Sequence, residues 1–443
     1  MTADHIAVSR FVERSRSVAL IVLVLAVTLT VGYLLPSHPS YALAIAGIAA
    51  LTGLSALEPA LLPVALLPVM LVAYRASGIG SNGVTFADLA LALAFVPALI
   101  LAPRPFSLPL RNLLWLGTAY LAAFAVTLAA NPYRANFIEW PHEIVLVIGA
   151  LIVGWTIGRR GFARAALLIL LLSAVVMAAI VIVNGLLQYA RGHFGPVDPQ
   201  VFFSGGKNYL GTTISFIAVV CAVHPPWMRL GRLATPLLIL CGVAIGMTQS
   251  RQAIVGLAAA ILIAVLRRGE RRRTALVPLI AIPAVIVSAL TLREQLRSDN
   301  VHNSAHQRVQ WFSAAVDVWR ADPLFGAGQR WWYSDRFGVN FQPPNAELEV
   351  LSTTGLLGLA AFLLFLIGSL VVTARMKSSY GTLALAVLVD RAVQGQLDIF
   401  WLSVTASLPL LIAGIAVGGH EHDLDKRRAS ANDTAADRDG VIV

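Results

Sequence analysis

Charge is what this chain has little of. Asp, Glu, Lys and Arg make up 13% of 443 residues, while apolar residues make up 58%. A soluble globular chain carries roughly twice that charge, so an ordinary water-soluble domain is excluded. Cysteine is nearly absent. The two present, Cys221 and Cys241, fall in apolar runs without metal-ligand spacing or a disulfide framework, and read as small buried residues. There is no HExxH, Walker, GxSxG or CxxC pattern, which leaves metal hydrolase, ATPase and serine hydrolase chemistry without support. No internal repeat is visible. No small-residue cleavage site follows the polar, basic stretch Met1–Arg16, so the first apolar run is expected as an uncleaved helix rather than a signal peptide.

What the chain does have is long apolar runs, many reaching the roughly 17–25 residues needed to cross a bilayer. Because open sheets cannot cross lipid, the fold class is an all-α, polytopic bundle of transmembrane helices with 12–14 spans. The runs are Ser17–Leu35, Tyr41–Leu57, Pro59–Tyr74, Ala87–Leu101, Leu113–Ala130, Ile144–Ile157 and Ala165–Leu187. They continue with Tyr209–Val223, Leu233–Met247, Gln252–Val265, Ala275–Leu292, Ala346–Ala374, Tyr380–Val389 and Phe400–Val417. The net charge of +10 does not point to nucleic acid. Its arginines sit in short loops between spans, densest at Arg267, Arg268, Arg271, Arg272 and Arg273. The positive-inside rule then puts both termini in the cytoplasm. The expected organisation is a cytoplasmic segment 1–16, spans over 17–292, a large external loop 293–345, further spans over 346–417 and a disordered tail 418–443.

Polar residues collect at the external helix ends, the depth at which a lipid-linked substrate presents its head group. Ser250-Arg251 occupies a turn of almost no length between two spans, on the side that should lack Arg. A snorkelling anchor is the plain reading, but a guanidinium that cannot leave the bundle suits phosphate or diphosphate. Arg308 opens an amphipathic, aromatic segment with Trp311 and Trp319, which reads equally as an interfacial helix or as an anion site. Pro343-Pro344 ends the loop, and Asn345 suits the N-cap of the next helix, with Glu347 and Glu349 in its first turns. Those carboxylates either complement the helix dipole or supply a general base. Lys207-Asn208 follows Gly205-Gly206, His142 and Glu143 end the loop that contains Arg134, and His302 and His306 lie just upstream of Arg308.

Taken in order, Ser250-Arg251 opening a span, Arg308-x-x-Trp311, Pro323-Leu-Phe-Gly-Ala-Gly328, and Asn345-x-x-Leu348 running to Gly355-Leu-Leu-Gly358 resemble the O-antigen ligase and polymerase superfamily. The motifs cover Asn208–Gly358. The resemblance implies an inner-membrane glycosyltransferase of the GT-C type. Such an enzyme moves a glycan from a polyprenyl diphosphate carrier to an acceptor hydroxyl at the outer face, with inversion, and without metal, cofactor or nucleotide sugar. The partners implied are that donor, a glycan or glycolipid acceptor and the bilayer. Carried over by position, Arg251 and Arg308 hold the diphosphate. Lys207, Asn208, Arg134, His306, Trp311 and Asn345 are candidate substrate-binding residues. Ligases of this family carry a His immediately before the Asn of the motif; here that residue is Pro344, so Glu347 or Glu349 is the expected replacement as base, with His302 and His306 as further options. The competing readings are an exporter of lipid-linked oligosaccharide, drawing on Asp390, Arg391 and Asp398, and an inactive glycolipid-binding member.

Overall fold

The structure is a computed structural model that describes residues 25–37, 39–72, 84–199, 206–268, 304–334, 336–376, 378–401 and 403–439. Among these there is no strand. Two units divide the chain at Leu62. The first holds α1 (Leu25–Leu34) and α2 (Pro39–Leu57). The second starts at Pro63, within α3 (Leu61–Val72). It continues through α4 (Phe86–Leu101), α5 (Leu108–Ala130), α6 (Arg134–Ile144), a π-turn (Val145–Gly149), α7 (Ala150–Arg159) and α8 (Ala163–Ala190). Then come α9 (Lys207–Val223), α10 (Ala234–Thr248), α11 (Arg251–Arg268) and α12 (Ser304–Ala321). The last helices are α13 (Ala346–Arg375), α14 (Ser379–Gly395) and α15 (Val404–Asp439). Among the described residues, six helical stretches are long and apolar enough to cross a membrane: Leu108–Ala130, Arg134–Arg159, Ala163–Ala190, Gly231–Thr248, Ala346–Arg375 and Val404–Asn432. The chain is an all-α, multi-pass membrane protein.

Small residues let α7 and α15 approach closely. Gly154 and Gly158 on α7 face Gly414 and Gly418 on α15, each helix presenting glycines four residues apart. A Cβ on Gly154 would stand 2.2 Å from the Leu411 carbonyl oxygen, and one on Gly158 2.3 Å from that of Ile415. This is the small-residue contact that replaces the missing hydrophobic drive between helices in lipid. It also carries α15 past Gly418, where a disordered tail was expected. The Tyr380 hydroxyl donates to Asp423 at 2.6 Å, and Arg159 pairs with Asp425.

Three further differences from the sequence reading have local causes. The loop expected before Ile144 is helical from Arg134, and it joins α7 through the π-turn one turn after Pro141, whose missing N–H interrupts the regular ladder. The weak run Tyr380–Val389 is a full helix to Gly395, because its charges are satisfied inside the protein. Ser215 and Gln394 donate to Asp390 at 2.7 and 2.6 Å, and Arg391 donates to the carbonyls of Ile399 and Phe400. The long run Ala346–Ala374 is one helix broken at Gly355 (φ 66°, ψ −164°). The expected span Ala275–Leu292 and His302 lie outside the described residues.

The α7–α15 contact gives a direct test. Gly158→Leu should lower the unfolding midpoint in detergent, with about 1–3 kcal/mol of overpacking cost or more. Gly242→Ala, where a Cβ meets nothing within 4 Å, should leave it unchanged.

Candidate functional site

The break at Gly355 sets the site. In an unbroken helix the amides of Leu356 and Leu357 would donate to the carbonyls of Ser352 and Thr353. Here Leu356 donates to Pro323 at 2.9 Å and Leu357 to Leu324 at 3.3 Å. The carbonyls of Ser352 and Thr353 accept instead from Ala327 and Gly328, both at 2.9 Å. The turn Asp322–Gly328 is thus inserted into the helix backbone. Glycine is required at the break: a Cβ on Gly355 would sit 2.3 Å from the Leu324 carbonyl oxygen.

The loop between α5 and α6 clamps the other side of the same turn. Thr127 donates to the Phe325 carbonyl at 3.0 Å, Asn131 to that of Gly326 at 2.9 Å and Tyr133 to that of Gln329 at 2.6 Å. Burial pushes the Tyr133 phenol above its ordinary range, against the opposing pull of Arg336, so it stays a donor. Arg330 pairs with Glu139 and meets His142 at 3.2 Å, and His142 reaches Asp88 at 3.3 Å. Trp331 is fully buried and donates to Ser352 at 3.2 Å. Trp331, Arg330 and His142 therefore have structural partners.

Beside the docked loop lies a cleft of about 570 Å³, lined by Lys207, Asn208, Gln249, Arg251, Gln252, Gln307, Arg308, Trp311, Phe341, Gln342, Pro344, Asp398 and Ile399. Residues far apart in sequence come together here because two helices begin at its wall. Helix α9 starts at Lys207 and α11 at Arg251. The hinge Gln249-Ser250 is fixed against α9: Gln249 is left-handed (φ 54°), and a Cβ on Gly211 would stand 2.4 Å from that of Ser250. Arg251 is thereby held near Lys207. Helix α12 brings Arg308 and Trp311, whose ring stacks on Phe341 at 5.3 Å.

Three cations, Lys207, Arg251 and Arg308, share the cleft with one carboxylate, Asp398. The excess positive charge, together with two helix N-termini, favours an anion. Burial pulls the Arg308 guanidinium below its ordinary range; Asp398 opposes this and Arg251 adds to it. Burial raises the Asp398 carboxyl, against the Ile399 amide, Arg308 and Arg391. Gln252 donates to that carboxylate at 2.8 Å.

Of the residues singled out from sequence, Lys207, Asn208, Arg251, Arg308 and Trp311 meet in the cleft. Asn345 caps α13, accepting from the Leu348 amide at 2.9 Å. Glu347 accepts from Gln396 at 2.7 Å. Glu349 is buried one side chain behind the cleft, accepting from Gln342 at 2.7 Å and from the Phe400 amide at 3.3 Å. Arg134 is exposed at the start of α6, outside the cleft lining, and His306 lies in the first turn of α12. Sequence reasoning did not assign Gln249, Gln252, Gln307, Phe341 and Gln342 to the site, and it gave Asp398 only to the exporter reading. The signal for Asp398 and Gln252 was a polar residue at the end of an apolar run, on the same side as Arg251.

The docking predicts that Gly355→Ala frees the turn. Proteolysis of the 322–345 segment in detergent should speed up at least tenfold, while Gly246→Ala, with nothing within 4 Å of the added Cβ, should change it little.

No curated protein matches the chain. Residues 236–363 match the family model described as O-Antigen ligase, a stretch that contains Arg251, Arg308, the docked turn and the broken helix. Over that stretch the chain is similar to O-antigen ligases.

Proposed function

We propose that this protein transfers a glycan from a polyprenyl diphosphate carrier to an acceptor hydroxyl at the outer face of the cytoplasmic membrane. The likeness of residues 236–363 to O-antigen ligases supports glycan transfer from lipid-linked substrates in a membrane. The single observation that carries the finer reading is the convergence of Arg251, Arg308 and Lys207 on one cleft. A diphosphate leaving group gathers negative charge as the anomeric C–O bond breaks, and fixed guanidinium groups and helix N-termini stabilise charge developing there. Trp311 and Phe341 offer a stacked aromatic wall to the sugar.

The acceptor hydroxyl must lose a proton as its oxygen bonds to the anomeric carbon. The bonding pair of the broken C–O bond leaves with the diphosphate, and attack from the opposite face inverts the configuration. Pro344 lines the cleft and has no titratable group. Glu347 is turned to Gln396, and Glu349 is screened by Gln342. Asp398 lines the cleft itself, and a carboxylate whose proton affinity is raised by burial is a better proton acceptor than an exposed one. Asp398 is therefore better placed as base than Glu347 or Glu349. The exporter reading gains nothing from the geometry, since Asp390 and one terminal nitrogen of Arg391 are bonded within the protein.

The test is release of polyprenyl diphosphate by the full chain in liposomes, from a synthetic polyprenyl diphosphate glycan with membrane glycolipid extract as acceptor. Arg251→Ala and Arg308→Ala should each lower turnover by about 10²–10³. Retained turnover in both variants would contradict the reading.

A second prediction concerns pH. Because burial raises Asp398, and the base works only when ionised, turnover should fall with acid from a pH above the ordinary aspartate range. Asp398→Asn should remove that limb and cost about 10²–10⁴ in rate, while Glu347→Gln keeps it.

A further inference from the structure

A second chamber, of about 260 Å³, opens beside Asp398, lined among others by Lys207, Asn208, Thr212, Arg391, Asp398 and Thr405. Lys207, Asn208, Asp398 and Ile399 form a shared wall with the main cleft. We infer that this chamber seats the terminal sugar ring of the acceptor, an inference that rests on the transferase reading above.

Chemistry separates the two spaces. The main cleft has Arg251 and Arg308, which suit a diphosphate. The chamber keeps Lys207 on the shared wall, but its own guanidinium, Arg391, is not open to a phosphate in the same way. Its terminal nitrogen donates to the carbonyls of Ile399 and Phe400. Its Nε is buried without a hydrogen-bond partner among the described residues. Arg391 is 3% exposed and lines the chamber, and a buried donor left unmade is costly, so an acceptor entering beside it would be favoured. Around it stand an amide, two threonines and a carboxylate, from Asn208, Thr212, Thr405 and Asp398. That mixture of donors and acceptors, without Arg251 or Arg308, suits sugar hydroxyls better than a second phosphate. The volume lies below the roughly 300–1,000 Å³ of a whole small-molecule pocket, which fits one ring rather than a chain.

Position agrees with the reaction. Inverting displacement needs the attacking hydroxyl opposite the departing diphosphate. A donor held by Arg251 and Arg308 and an acceptor ring in the chamber would meet at the shared wall, which includes Asp398.

The experiment measures half-saturation for each substrate separately in the same liposome assay. Thr212→Leu narrows the chamber and replaces a hydroxyl by an apolar branch, while Thr212→Ser keeps the hydroxyl. The expected result for Thr212→Leu is a rise of at least tenfold in the acceptor extract needed for half-maximal transfer. The donor concentration for half-saturation should stay within twofold, which also reports an intact fold. Thr212→Ser should behave as wild type. Thr405→Leu, on the other side of the chamber, should repeat the acceptor effect. An effect on the donor with the acceptor unmoved, or on neither, would overturn the inference and leave the transferase reading standing. Absence of polyprenyl diphosphate release from the wild type would overturn both.

Discussion

The backbone exchange at Gly355 is the contact on which the site depends. Breaking α13 there opens two helical hydrogen bonds, and the inserted turn replaces them with four to the segment Pro323–Gly328. Buried backbone groups need partners, so a helix can be broken in this position only if something fills the gap. The filling turn is held in place by the same requirement. This ties the segment after α12 to the interior of the bundle, and so fixes where Arg308 and Trp311 can reach. The glycines of the two motifs are explained by this docking: Gly326, Gly328 and Gly355 all have positive φ, and each would bring a Cβ against backbone or ring atoms.

The second element of the site is a junction of helix starts. Lys207 and Arg251 come from different helices but begin them side by side, because Gly211 lets the Ser250 hinge press against α9. Helix α11 then runs about 27 Å from Arg251 to Arg268, so the basic residues at its other end belong to the opposite end of the bundle. Like charges gathered in a partly buried cleft repel until an anion enters. Asp398, held by Gln252, offsets part of that repulsion.

Much of this was legible in sequence, for physical reasons. Composition fixes the solvent, since a chain so poor in charge must meet lipid. Arg251 was conspicuous because it stands in a turn too short for it to escape, and Asn345 because it follows two prolines and precedes an apolar helical period. Other features were hidden. Sequence spacing does not say that Glu349 turns inward to Gln342 while Pro344, ahead of the helix, lines the cleft. Asp398 looked like a blemish in a weak span, because nothing local reveals that Gln252 and Arg308 come to meet it. The close packing of α7 on α15 was present as glycines four apart in both helices, a pattern that becomes informative only when the two segments are known to touch.

The measurement that tests the central claim most directly is an experimental map of the full chain in lipid nanodiscs with a polyprenyl diphosphate bound. The account predicts the diphosphate between Arg251, Arg308 and Lys207, beside the starts of α9 and α11, with the chamber beside Asp398 still open. Diphosphate density seated elsewhere, with the three cations unengaged, would contradict it.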